Sequence, residues 1–235
     1  MKDLVRTAKN LDTMRLDIKA VLSDPKCRGI IDEFHRLWYE CYFTHGMTYF
    51  EHVPIMKCPM DLWVLQELID DLRPTLIIET GTAFGGSALY YARQFDKLGA
   101  GKVISIDIEA HETLPTHPRI TFVQGSSVDP TIIDAVVGCA RTHPRVMVVL
   151  DSDHAKDHVL AELAGYAHLV TPGQFLLVED TNINGRPVAI DWHGGPGPGP
   201  AVDEWLPTHP EFERDERAER YLLTCHPGGW LRRAL

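Results

Sequence analysis

The stretch Leu76-Ile77-Ile78-Glu79-Thr80-Gly81-Thr82-Ala83-Phe84-Gly85-Gly86-Ser87 constrains the chain more than any other. A short β-branched apolar run ends in a carboxylate, a turn with three glycines follows, and then a helix-forming run opens. An apolar run of this kind suits a strand buried on both faces of a parallel sheet. The glycines let the backbone turn tightly and let a ligand approach where a Cβ would clash. The next helix directs its free N–H groups and positive dipole end at whatever occupies the turn. Such a strand–turn–helix unit holds a nucleotide-like ligand in an open α/β sheet.

The pattern also bears on which ligand. Dinucleotide enzymes show G-x-G-x-x-G, and phosphate loops end in Gly-Lys-Ser/Thr. This turn reads Glu-x-Gly-x-x-x-Gly-Gly-Ser instead. A carboxylate two residues before the first glycine repels a pyrophosphate and attracts an ammonium group. S-adenosylmethionine carries an amino-acid moiety and no phosphate. Asp107 ends the next apolar run, Lys102–Asp107, at about the distance expected for a ribose-binding acid. The expectation is therefore S-adenosylmethionine. A tight turn with capping carboxylates, or nicotinamide binding, are the alternatives.

Around this unit the pattern from Pro74 onward is strand, helix, strand, repeated. Strands are expected to end at Glu79, at Asp107, near Gln124, in Asp151 and in Glu179-Asp180. Helices are expected over Ser87–Leu98, Pro130–Arg141 and Val159–Leu169. This predicts a mostly parallel, doubly wound α/β sheet with helices on both faces. Tyr221–Cys225 and Trp230–Arg233 flank His226-Pro227-Gly228-Gly229 and read as a terminal hairpin that adds antiparallel strands to one edge. Before the sheet, Asp24-Pro25 starts a helix, and Pro59 starts another that stops before Arg73-Pro74. The run His193–Pro200, with its alternating Gly and Pro, is expected to be neither helix nor central strand, but a lid or pocket wall. The aromatic group Trp38, Tyr39, Tyr42 and Phe43 either lines a substrate pocket or packs on a core or a second subunit. Tyr49 and Lys57 reach the ligand from the extended loop Thr48–Pro59, or simply pack and solvate.

Ligands of such sheets sit beyond the carboxyl ends of the strands, and those ends are rich in acids. Beyond Glu79 and Asp107, Asp151 follows one strand and Glu179-Asp180 follow another. Three carboxylates at one place repel one another unless a cation neutralises them, and oxygen ligands suit Mg²⁺, Ca²⁺ or Mn²⁺. Helix capping is the alternative use of these acids. His154, three residues after Asp151, is placed to take a proton from a hydroxyl at the metal edge. His158, four residues on, pairs with His154 in a competing two-histidine iron reading.

These motifs carry a resemblance. Trp63, Glu79-x-Gly81-x-x-x-Gly85-Gly86-Ser87, Leu150-Asp151-Ser152-Asp153-His154-x-x-x-His158-Val159-Leu160-Ala161-Glu162 and Val178-Glu179-Asp180-Thr181-Asn182-Ile183-Asn184-Gly185-Arg186-Pro187 resemble the rhamnosyl O-methyltransferase, or cephalosporin-hydroxylase-like, family over roughly residues 38–200. That family is similar to metal-dependent macrolide-sugar O-methyltransferases. The resemblance implies a Rossmann-like class I methyltransferase fold, S-adenosylmethionine and a Mg²⁺-type ion. It implies Asp151, Glu179 and Asp180 as metal ligands and His154 as general base. The expected cofactor contacts are Glu79, Gly81, Thr82, Gly85, Ser87, Asp107, Ser126 and Asp151. The expected reaction is methylation of a small-molecule hydroxyl, most simply on a rhamnose-like deoxysugar. A metal-dependent oxygenase and a non-catalytic S-adenosylmethionine-binding protein are the rivals. Residues 1–58 are expected to be a helical and loop extension serving the acceptor pocket or an oligomer contact, and 59–235 the methyltransferase domain.

Composition narrows the partners. The chain has 235 residues, enough for one large α/β domain. A formal net charge of −10 disfavours nucleic-acid backbones and anionic membranes. No apolar run is long enough to span a bilayer, and the N-terminus has no signal-peptide apolar core. Cys27, Cys41, Cys58, Cys139 and Cys225 are odd in number, scattered and without a C-x-x-C pair. That favours reduced thiols in a cytoplasm over a disulfide framework or a zinc site. A cytoplasmic homo-oligomer is the resulting expectation.

Overall fold

The computed structural model describes residues 20–40, 46–111, 113–190 and 194–235. Tyr42, Phe43 and His193 lie outside these residues. Helix α1 (Pro25–Glu40) starts where Asp24 accepts the Lys26 and Cys27 backbone N–H groups, as the Asp-Pro signal predicts. A two-residue hairpin, β1 (Tyr49–Phe50) with β2 (Val53–Pro54), leads to α2 (Pro59–Leu72). The alternating units follow: β3 (Leu76–Thr80), α3 (Gly86–Leu98), β4 (Lys102–Asp107), β5 (Ile120–Gln124), α4 (Pro130–Ala140), β6 (Val146–Leu150), α5 (Lys156–Tyr166) and β7 (Phe175–Val178). The chain closes with α6 (Pro198–Trp205), β8 (Phe212–Arg214) and β9 (Trp230–Arg233).

The seven-stranded sheet has the order β5-β4-β3-β6-β7-β9-β8. The first five strands are parallel, and β9 and β8 are antiparallel to their neighbours. The chain leaves β3 in one direction and returns through β6 in the other, so the topological switch point lies between them. Their register pairs Thr80 with Leu150, which sets Gly81 beside Asp151 at the carboxyl edge. The switch point therefore coincides with the glycine turn, as open α/β sheets require of a ligand cleft.

Both faces of the sheet are dry. Ile78, Ile104, Val148 and Leu176 pack beneath α4, α5 and α6, against Val136, Leu163 and Trp205. Ile77, Val103, Met147 and Leu177 point the other way, against Leu65 and Ile69 of α2 and Tyr91 and Phe95 of α3. Alternate residues of each strand thus face opposite layers, which explains why these strands read as unbroken apolar runs.

Two local expectations are corrected. The terminal hairpin exists, but its first strand is Phe212–Arg214 and not Tyr221–Cys225. Residues 221–225 are irregular because their polar groups are spent elsewhere: Cys225 N–H donates to Asp61, and Thr224 Oγ1 accepts from Trp230 Nε1. The Gly/Pro run does enter a helix, since α6 begins at Pro198. Pro198 and Pro200 both fall in the first turn, where the missing N–H groups have no intrahelical partner to lose. Among the described residues, no helix is long and apolar enough to cross a membrane.

Candidate active site

A cavity of about 980 Å³ opens at the carboxyl edge of the sheet, a size within the range of small-molecule sites. One wall is the glycine turn. Gly81 has φ +83°, and a Cβ there would stand 1.9 Å from the Asp151 carbonyl oxygen. Gly86 faces the loop before α2, where a Cβ would lie 2.2 Å from the Pro54 carbonyl oxygen. No side chain fits at either position.

Asp107 braces this turn. Its Oδ2 accepts the backbone N–H groups of Thr82 at 2.8 Å and Ala83 at 3.0 Å, and its Oδ1 accepts that of Glu109 at 2.9 Å. His111 Nε2 lies 3.1 Å from Oδ2. Although burial opposes ionisation, these N–H donors prevail and hold the carboxyl below its usual range. Asp107 borders the cavity together with Thr82, Ser87 and Ser126. Glu79 and Gly85 do not border it. Glu79 lies beneath the floor, fully buried, accepting from Ser105 Oγ at 2.7 Å, and burial pushes it up to about 7.

The opposite wall carries the acids. Asp151 follows β6, and Asp180 follows β7 in a left-handed backbone conformation, φ +50°. The backbone N–H of Asp180 donates to His226 Nδ1 at 3.0 Å. Asp153 Oδ1 accepts the Ala155 N–H at 2.8 Å, a turn that leaves His154 outside α5 and directed at the acids. His154 Nε2 lies 3.4 Å from Asp180 Oδ2. Tyr39 of α1 donates its hydroxyl to the same oxygen at 3.2 Å. One donor atom each from Asp151, His154 and Asp180 falls within 4.8 Å of the other two.

Glu179 stands apart from that trio. Its Oε2 is 2.5 Å from Lys57 Nζ, which also lies 2.5 Å from Asp151 Oδ2. Burial presses on the Lys57 ammonium, but Asp151 and Glu179 outweigh it and hold it well above the ordinary lysine value. Burial, reinforced by Glu179 and opposed by Lys57, pushes Asp151 up to about 7. Glu179 Oε1 is buried and has no hydrogen-bond partner among the described residues. Clustered oxygen donors and an orphaned buried carboxylate oxygen fit a hard divalent ion.

The two-histidine reading fails on geometry. His158 Nε2 contacts Ser127 Oγ and Ser152 Oγ, both at 3.1 Å, and faces Glu162. Because α5 begins at Lys156, His154 and His158 do not share a helix face. Tyr49 is 62% exposed and does not border the cavity, whereas Lys57 does. The sequence reading passed over His226 as a turn residue and gave Tyr39 no specific partner. The motif residue Asn182, which donates to His35 Nε2 at 3.0 Å, was the one clue that α1 docks here.

Residues 42–234 match the family model described as Rhamnosyl O-methyltransferase/CmcI. The chain is 35% identical over 211 residues to a protein named rhamnosyl O-methyltransferase from Mycobacterium bovis (strain BCG / Pasteur 1173P2), covering 86% of this chain and 84% of that one. A relative of the same name from Mycobacterium leprae (strain TN) is 34% identical over 209 residues, covering 86% and 90%. The solved structure described as cmcI-D160 Mg-SAM superposes with a TM-score of 0.63 at 19% identity, over 81% of this chain and 78% of that one. The last likeness concerns the fold and agrees with the seven-stranded methyltransferase sheet. The chain belongs to the rhamnosyl O-methyltransferase/CmcI family.

Proposed function

We propose that this chain transfers the methyl group of S-adenosylmethionine to a hydroxyl of a rhamnose-like deoxysugar, with a divalent metal of the Mg²⁺ type at the acceptor. That it is an O-methyltransferase follows from its family; the residue roles and the sugar are our reading. The single observation that carries the roles is the convergence of Asp151, His154 and Asp180 opposite the glycine turn in one cavity.

When bound, the sulfonium cofactor supplies an electrophilic methyl carbon, and the metal supplies positive charge that lowers the pKa of a nearby hydroxyl. Asp151 and Asp180 would hold the ion, and Glu179, whose Oε1 has no hydrogen-bond partner among the described residues, would be the third carboxylate of the set. His154 Nε2 removes the acceptor hydroxyl proton, and the carboxylate of Asp180 beside it stabilises the resulting imidazolium. The acceptor oxygen then forms a bond to the methyl carbon as the carbon–sulfur bond breaks, leaving S-adenosylhomocysteine. Gly81, Thr82, Ser87, Asp107 and Ser126 position the cofactor from the cavity wall, Gly85 shapes the turn behind them, and Asp151 touches both sites. Glu79 acts from beneath the turn, where it accepts from Ser105 Oγ, which in turn meets Thr82 Oγ1 of the turn. Holding the two reactants in line is the main contribution of such a site.

In this reading the described residues of the 1–58 extension shape the acceptor side, since Tyr39 of α1 and Lys57 reach the acids, and 59–235 form the cofactor domain. The apolar stripe Ile30, Phe34 and Leu37, exposed on α1, supports a homo-oligomer. The cytoplasm is its expected compartment. The test is an assay of S-adenosylhomocysteine formation from rhamnosyl acceptors with Mg²⁺, repeated with EDTA. Activity that EDTA abolishes and Mg²⁺ restores is expected. Iron-dependent oxygen consumption, or binding of NAD without S-adenosylmethionine, overturns the proposal.

A further inference from the structure

Beside the acid wall lies a second group of metal-ligating side chains that the methyl-transfer reading does not use. Cys58 is the N-cap residue of α2, Asp61 sits in the first turn of that helix, and Cys225 precedes His226 on the approach to β9. One donor atom from each of Cys58, Asp61 and Cys225 lies within 4.8 Å of the other two. The three residues are 2%, 1% and 5% exposed. The cost of burial falls on the Asp61 carboxylate, which a cation would offset, and the two thiols beside it become metal donors once deprotonated.

A second observation points the same way. Asp61 Oδ2 accepts the Cys225 backbone N–H at 2.9 Å and lies 3.4 Å from His226 Nε2. His226 Nδ1 is an acceptor for the Asp180 N–H, so the neutral ring carries its proton on Nε2. That buried Nε2 makes no hydrogen bond among the described residues and stands between two carboxylates, Asp61 Oδ2 at 3.4 Å and Glu179 Oε2 at 3.6 Å. A carboxylate that ligates a metal is held from behind by N–H donors, as the Cys225 backbone N–H holds Asp61.

We propose that Cys58, Asp61 and Cys225 form a site for one thiophilic divalent cation of the zinc class, separate from the hard-ion site at Asp151 and Asp180. Two sulfur donors and one carboxylate suit Zn²⁺ and disfavour Mg²⁺. On loading, two sulfur–metal bonds form, the two thiol protons pass to solvent, and no electron moves. Cys58 and Cys225 both border the cavity. The cation ties the loop that carries Lys57 to the turn that carries His226. It thereby fixes two of the residues that flank the acids. The sequence argued against a zinc site because its cysteines are odd in number, scattered and without a C-x-x-C pair, and Cys58 and Cys225 meet only through the fold.

The test uses Cd²⁺ as the probe on the reduced full chain, with excess Mg²⁺ present, following thiolate-to-cadmium ultraviolet absorption and bound metal. About one cadmium per chain is expected, with Mg²⁺ unable to displace it. The absorption should be lost in Cys58→Ser and in Cys225→Ser and retained in Cys139→Ser. Asp61→Asn should weaken cadmium by roughly tenfold or more. Thermal melts identify variants that fail to fold, and the wild-type titration decides without them. No charge-transfer band in the wild type, or a band that survives in both folded cysteine variants, overturns the site. So does a Cys58–Cys225 cross-link in the air-exposed chain combined with no cadmium uptake after reduction. None of these readouts depends on methyl transfer.

Discussion

Lys57 Nζ lies 2.5 Å from Glu179 Oε2, and both side chains are almost completely buried, 5% and 2% exposed. The ammonium also reaches Asp151, so one lysine bridges the two acids that follow adjacent strands and offsets part of their charge. Removing one partner of such a group leaves uncompensated buried charge, at a cost of about 3–5 kcal/mol. Lys57→Met should therefore melt well below the wild type in EDTA. The vacated carboxylates should then draw a divalent ion more strongly, so Mg²⁺ should raise the melting temperature of the variant more than that of the wild type. An equal Mg²⁺ response in the two proteins would show that Lys57 and the ion do not share these charges.

The glycine turn offers a steric prediction. At Gly81 a side chain meets both a left-handed φ and the Asp151 backbone, whereas Gly99, at φ +74°, faces open space. Gly99→Ala should cost only the left-handed strain of about 1–2 kcal/mol. Gly81→Ala should destabilise the chain by more than that and abolish S-adenosylmethionine binding in calorimetry. Intact cofactor binding by a folded Gly81→Ala chain would remove the turn from the cofactor site.

The docking of α1 should depend on pH. Burial lowers His35 from 6.5 to about 4, in keeping with a neutral ring that accepts from Asn182. A depressed histidine binds its proton less well when folded than when unfolded. Its contribution is fully present above pH 6.5 and is lost as the pH falls toward 4. The difference amounts to at most ~3 kcal/mol. Melting curves from pH 7 to 4 should fall more steeply for the wild type than for His35→Gln, whose amide can still accept from Asn182. Parallel curves would exclude His35 as the titrating group.

The legible part of this protein was the part whose signals are local. Glu79-x-Gly81 marked the first strand end because apolar run, acid, glycines and helix follow one another directly. Asp151, His154 and Asp180 were identifiable because each sits at or just beyond a strand end, and parallel strands deliver their carboxyl ends to one edge. What stayed hidden depends on pairing across the chain. Lys57 meets Asp151 and Glu179 across 94 and 122 positions, and no periodicity encodes such a meeting. Tyr39 looked like one more aromatic on a helical stripe until the fold set its hydroxyl against Asp180. The mistaken hairpin strand has the same origin: Tyr221–Cys225 has strand-forming residues, but Cys225 is drawn to Asp61 on α2.

His154 separates catalysis from metal holding. It stands at the mouth of the sheet, three residues past Asp151, with its Nε2 3.4 Å from Asp180 Oδ2. The same nitrogen is close enough to the acids to serve as a ligand. A general base and a ligand differ in what their removal changes. If His154 is the base, His154→Ala should leave S-adenosylmethionine and Mg²⁺ affinity nearly unchanged, since the ion keeps its carboxylates. Turnover should fall by roughly 10²–10⁴-fold, the usual contribution of a positioned acid–base group. The residual rate should climb with pH, because hydroxide or a more ionised acceptor replaces the missing base. His158→Ala should be milder, since its ring is held by Ser127 and Ser152 away from the acids. The measurements are kcat against pH for both variants and Mg²⁺ titration calorimetry for His154→Ala. A loss of Mg²⁺ affinity that parallels the loss of turnover would make His154 a ligand, and near-native kcat at neutral pH would remove it from the reaction.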